Sequence, residues 1–135
     1  MTGLQILEKY PLSAKVVKGW FMKSMIESLG DTSVPEEFKE FMLKQGIEDE
    51  KVAKIIDVNV RILFDMFDEN DVIIQIIPIK EDKVKYLSRV DQFETSYDFK
   101  RPYFTRKEAE HAAIEQAFEI LEEQLTASSE EIIEQ

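Results

Sequence analysis

The residues of this chain best placed to do chemistry are Glu108, His111 and Glu115, set three and four positions apart. On a helix that spacing puts one imidazole and two carboxylates where a single cation could touch all three. The parts for more are missing. His111 is the only histidine and there is no cysteine, so nucleophile–histidine pairs, thiolate zinc sites and multi-histidine metal sites all lack members. A carboxylate-bridged di-iron site would need a second Glu-x-x-His motif and two further glutamates on neighbouring helices. The expected state of His111 is therefore a surface histidine among acids.

A second cluster, Asp65, Asp68, Glu69 and Asp71 around Asn70, follows a helical run, where the negative end of the helix disfavours further negative charge. Calcium would offset that, but the central glycine and alternating oxygen ligands of an EF-hand loop are absent. Solvated acids around an asparagine helix stop are the expectation. The four glycines are scattered and make no phosphate-cradling loop. Catalytic, cofactor-binding and metal-binding residues are accordingly all expected to be none, and the chain is expected not to be an enzyme.

The element that must position the first cluster is the best defined in the sequence. In TRKEAEHAAIEQAFEILEEQL, Thr105 to Leu125, Thr105 and Glu108 form a capping box in which each can satisfy the amide of the other. At 100° per residue, Ala109, Ala113, Ala117, Ile114, Phe118, Ile120, Leu121 and Leu125 fall on one broad face, which is the expected core face. Glu108, Glu115, Glu119, Glu122 and Glu123 fall opposite, as a solvated stripe or one that meets a cationic partner.

A chain of 135 residues that is 44% hydrophobic has the size of one domain with a self-sufficient core. The division expected is a single α+β domain over 1–125 and an acidic, flexible tail over 126–135. The net charge of −11 is concentrated at the end, where residues 105–135 hold nine acids against two bases. Such a field opposes generic binding to nucleic acid phosphates. The amino-terminal segment lacks the unbroken apolar core of a secretory signal, and no run approaches membrane-spanning length. The expected location is the cytoplasm.

The first half reads as helical. Thr2 and Gln5 form a capping box for a short helix that stops before Pro11. Ser13 and Gly30 bracket a second helix in which Val16, Val17, Trp20, Phe21, Met22, Met25, Ile26 and Leu29 spread around most of the wheel. One core face does not account for them all. Either that helix is central, or its surplus Trp, Met and Phe surface docks a partner or a second copy. Pro35 and Gly46 bracket a third helix with Phe38, Phe41 and Met42 at core spacing. Glu48 to Ile56 forms another, and Asp57 or Asn59 caps a buried helix through Phe67.

The period then changes. Val72 to Ile79 is rich in β-branched residues with apolar groups on both faces, as in a covered strand, and Pro78 leaves it disrupted or unpaired on one side. After a KEDK turn, Val84, Tyr86 and Val90 alternate with polar neighbours, and so do Phe93, Thr95, Tyr97 and Phe99. The fold class expected is α+β: a helical amino-terminal half, a three-stranded antiparallel sheet with an aromatic face, and a long carboxy-terminal helix packed on it.

From Asn59 onward the order of helix, three strands and helix resembles the double-stranded RNA-binding domain. Its last helix typically opens with a small capping residue, two cations and closely spaced alanines, as in Thr105, Arg106, Lys107, Ala109, Ala112, Ala113 and Ala117. The resemblance implies that Arg106 and Lys107 face phosphates at a positive helix end. The chain departs from the pattern at Glu110, where a further cation is common. It departs again between Lys80 and Lys83, where glycine, proline and histidine are missing. The same carboxy-terminal run, together with VNVRILFDMFDEN, is similar to small uncharacterised proteins of bacterial phages and prophages, particularly of gut Bacteroides relatives. That resemblance implies an accessory protein of a mobile element and transfers no site residues.

The function expected from the residues is protein interaction without catalysis, with Trp20, Glu115, Glu119 and Glu122 as partner-binding side chains and no cofactor. The partner expected is a protein, and no membrane is involved. A nucleic acid module using Arg106 and Lys107 is one alternative. An acidic inhibitor of a host nucleic acid enzyme is the other.

Overall fold

A computed structural model describes residues 1–28, 35–80, 82–92, 95–98 and 102–134. The elements in chain order are α1 (Gly3–Lys9), α2 (Pro11–Ser28), α3 (Glu36–Gln45), α4 (Asp49–Val58), a 3-10 turn (Val60–Leu63), α5 (Phe64–Glu69), β1 (Val72–Lys80), β2 (Val84–Gln92), β3 (Thr95–Asp98) and α6 (Arg106–Glu134). The chain is α+β, with a helical first half and a long final helix.

The helix starts follow local chemistry only in part. At α1, Thr2 and Gln5 make both bonds of the capping box. At α2 the expected cap fails: the helix already begins at Pro11, which suits the first helical position because its missing amide would have no partner there. Ser13 is instead buried inside the first turn and donates its hydroxyl to the Phe118 carbonyl at 3.3 Å. Gly30 lies outside the described residues. Asp57 does not cap the turn that follows it; its Oδ1 accepts from the amide of Gly3 at 2.7 Å, and Asn59 precedes the 3-10 turn without a side-chain bond. At the end of α5, Asn70 donates to the Met66 carbonyl at 2.8 Å, while Asp71 takes the left-handed conformation at φ 63°.

The body of the sheet is a hairpin of two nine-residue antiparallel strands, β1 and β2, in unbroken register from Val72↔Gln92 to Lys80↔Val84. The third antiparallel strand expected is reduced to a short edge: β3 is only four residues long and pairs with one end of β2, from Arg89↔Asp98 to Gln92↔Thr95. Tyr103 then pairs back onto β2, exchanging two 2.8 Å backbone bonds with Tyr86. Those bonds turn the Tyr86 amide and carbonyl away from β1. Pro78, opposite Tyr86, therefore sits at a position that exchanges no bonds with β2, and its missing amide faces the free edge of the sheet, where proline costs nothing. The strand continues through it to Lys80.

The strand predicted to be covered on both sides is covered on one. Val72 and Ile74 are buried with Ser88 and Val90 of β2, whereas Ile73 and Ile77 on the opposite face are 47% and 39% exposed. Helix α6 lies against β1 and β2, and its small residues permit the close approach: Ala109, Ala113 and Ala117 are fully buried, and Ser88 donates to the Ala109 carbonyl at 2.6 Å. Of the expected aromatic face, Phe93 and Phe99 lie outside the described residues.

The core is centred on Phe118. Its ring meets Phe67 of α5 edge-on at 5.2 Å and stacks with Tyr10 at 6.2 Å, so one side chain ties α6 to α5 and to the α1–α2 junction. Ile6, Val17, Val52, Ile56, Leu63, Met66, Ile114 and Leu121 fill the space around it. Phe38 and Phe41 of α3, expected in the core, are 48% and 56% exposed. The helix expected to end near Leu125 continues to Glu134, because no glycine or proline interrupts it.

Candidate interaction site

The site expected at Trp20 and along the glutamate stripe separates into parts with different surroundings. Trp20 is half-buried on α2, with its indole edge-on to Phe21 at 5.3 Å. Its exposed side forms a wall of a cleft of about 410 Å³ between α2 and α5. Lys23, Ser24 and Glu27 line the α2 side, and Asp65, Asp68 and Glu69 line the α5 side. Four carboxylates and one ammonium thus surround one indole. The pKa of Asp68 is raised from its ordinary value, first by desolvation and then by the charge of Asp65. The acidic cluster read in the sequence and the tryptophan read separately share one cleft, a juxtaposition that required the packing of α2 on the α5 side and had no local signal.

Along α6 the glutamates are largely engaged within the chain. Glu108 accepts the Thr105 hydroxyl at 3.0 Å, and its amide donates to Thr105 Oγ1 at 3.2 Å. The reciprocal half of this cap is therefore hydroxyl to carboxylate, and not the Thr105 amide. Glu115 accepts from the amino group of Met1 at 2.8 Å. Glu122 accepts from the amides of Leu12 at 3.1 Å and Ser13 at 2.8 Å, so it caps α2 from the far end of the chain. Glu119 is exposed and lies with Glu115, Tyr10 and Tyr103 on a smaller cleft of about 230 Å³.

The two cations at the start of α6 have different roles. Arg106 Nε donates to Glu110 Oε1 at 3.3 Å, and Arg61 Nε, from the 3-10 turn, donates to the same oxygen at 2.6 Å. Glu110 is only 5% exposed; two guanidinium groups offset the cost of burying its charge. The departure from the RNA-binding pattern at Glu110 is thus the centre of an ion-pair network that draws in Arg106. Lys107 and His111 line a cleft of about 230 Å³ beside it with Asn59, Arg61 and Glu110. Sequence reasoning missed Arg61, because nothing local marks a residue 49 positions from its partner.

Among the described residues, no group of three His, Cys, Asp or Glu side chains is arranged to hold a metal ion, and no helix is long and apolar enough to cross a membrane. The geometry defines an α+β chain with an acidic, tryptophan-walled cleft. No family model, curated protein or solved structure matches the chain.

Proposed function

We propose that this chain is a non-enzymatic interaction or accessory protein that binds another protein through the Trp20 cleft. The observation that carries the reading is the half-buried indole of Trp20 facing Asp65, Asp68 and Glu69 across about 410 Å³. A partly exposed tryptophan offers a large apolar contact with a polar N–H, and its ring face attracts cations. The lining has a formal excess of negative charge, with Glu27, Asp65, Asp68 and Glu69 against Lys23. The partner that fits is a protein presenting lysine or arginine beside an apolar side chain. Of the three glutamates of α6 expected to bind a partner, Glu119 is the exposed one, since Glu115 and Glu122 are engaged within the fold.

The test is affinity capture from a bacterial lysate at moderate salt, with and without nuclease, comparing the native chain with Trp20→Ala and with Asp65→Lys. The expected result is a nuclease-resistant protein retained by the native chain and lost by both variants. Duplex RNA, released by nuclease and lost on replacing Arg106 and Lys107, would contradict the proposal.

A further inference from the structure

Helix α3 packs on α2. It forms for local reasons: Pro35 precedes it and accepts from the Phe38 amide at 3.1 Å, Glu36 and Glu37 complement its positive end, and Gly46 ends it at φ +72°. Burial does not explain Phe38 and Phe41. Phe38 and Phe41 are about half exposed and, three residues apart, form one stripe. Phe41 borders a groove of about 420 Å³ that continues the stripe over Met22, Met25 and Ile47. An apolar stripe of this kind on a chain of net charge −11 calls for an occupant.

The charges beside the stripe identify one. Glu37 and Lys44 are both exposed and stand seven residues apart, about 20° from one another around the helix and on the same flank of the phenylalanines. An antiparallel pair of identical helices brings like flanks together. With a two-fold axis near the middle of α3, Glu37 of one copy meets Lys44 of the second copy, and Lys44 meets the second copy's Glu37. The same axis brings Phe38 and Phe41 of both copies into one seam. The helix is thus complementary to itself in apolar contact and in charge, as an isologous interface requires.

We propose that the protein self-associates through antiparallel packing of α3 on α3 of a second copy, with Phe38 and Phe41 as the seam and two symmetric Glu37–Lys44 pairs at its flank. One helix per copy buries less than the roughly 1,200 to 2,000 Å² of stable complexes, so the dimer is weak and concentration-dependent. This proposal is independent of the Trp20 cleft, and either reading can fail alone.

Sedimentation equilibrium of the full chain, from about 10 µM to 1 mM at 0.15 M salt, tests it. At that salt the screening length of about 8 Å damps the general repulsion between copies but not close pairs. A monomer–dimer equilibrium is expected, and Phe38→Ser with Phe41→Ser should abolish it. Glu37→Lys alone or Lys44→Glu alone places like charges in both symmetric pairs and should weaken association by about tenfold. Glu37→Lys with Lys44→Glu exchanges the charges and should return it close to the native value. A monomer throughout the range, association indifferent to the phenylalanines, or a double variant no better than the single ones would overturn the proposal. All four positions are exposed, and circular dichroism verifies that each variant is folded.

Discussion

Glu122 and Ser13, 109 positions apart in sequence, meet where α6 crosses the start of α2, and the carboxylate of Glu122 accepts the Ser13 amide at 2.8 Å while also accepting that of Leu12 at 3.1 Å. The first amides of a helix have no partners within it and carry its positive end. A negative side chain from another element satisfies two of them at once. Asp57 satisfies one such amide of α1, that of Gly3. Part of the acidity of this chain therefore holds helices in place.

Glu122→Ala should leave two amides of α2 without their acceptor and destabilise the fold by about 1 to 3 kcal/mol. Glu122→Gln, which keeps an acceptor oxygen and loses the charge, should cost less. Urea unfolding followed by circular dichroism measures both. Equal stability of Glu122→Ala and the native chain would remove the cap from the account.

Gly3 lies at a close approach between α1 and α4. A Cβ at this position would lie 2.4 Å from the carbonyl oxygen of Ala53 and 2.9 Å from its Cα. Backbone atoms inside a helix cannot step aside as a flexible side chain would. Gly3→Ala should therefore be destabilising by about 1 to 3 kcal/mol, although alanine is the better helix former. Gly19→Ala, whose added methyl meets nothing within 4 Å beyond its own chain neighbours and helix backbone, is the matched control and should be neutral or stabilising.

Asp68 gives a pH-dependent prediction. Its pKa is raised above the ordinary 3.8 by desolvation and by Asp65, so the folded chain holds this proton more tightly than the unfolded one. Its contribution favours folding at low pH and is lost as pH rises through the raised value. At neutral pH the charge is a penalty, and its place in the last turn of α5 adds an unfavourable helix-end interaction of about 0.3 to 1 kcal/mol. Asp68→Asn should raise the melting temperature at pH 7, by an amount that shrinks as the pH falls toward 3.8. An advantage independent of pH would contradict the assignment.

What was legible in the sequence was local. The capping box at Thr2, the Thr105 hydroxyl that caps the Glu108 amide, the stop at Gly46 and the change of period at Val72 each depend on residues within one turn or one strand, and the helices and strands follow them. Ser13 does not cap its helix because Glu122 does, and no nearby spacing reveals that carboxylate. Phe38 and Phe41 have core spacing yet are exposed, since periodicity defines a face and not what lies against it. Ile73 and Ile77 failed likewise: β-branched residues on both faces suited a covered strand, but α6 covers one face of the hairpin. Trp20 and the acids of α5 each stand out in the sequence, but only folding brings them to one cleft.

Trp20 is the only tryptophan in the chain, so its fluorescence reports on the proposed binding cleft without a label. The most direct measurement is titration of the captured partner into the native chain while following this emission, with affinities for Trp20→Ala and Asp65→Lys measured in parallel by calorimetry. A saturable shift of the Trp20 emission and a loss of at least tenfold in affinity in both variants are expected. Tight binding that leaves the emission unchanged and survives both substitutions would place the interface elsewhere and contradict the proposal.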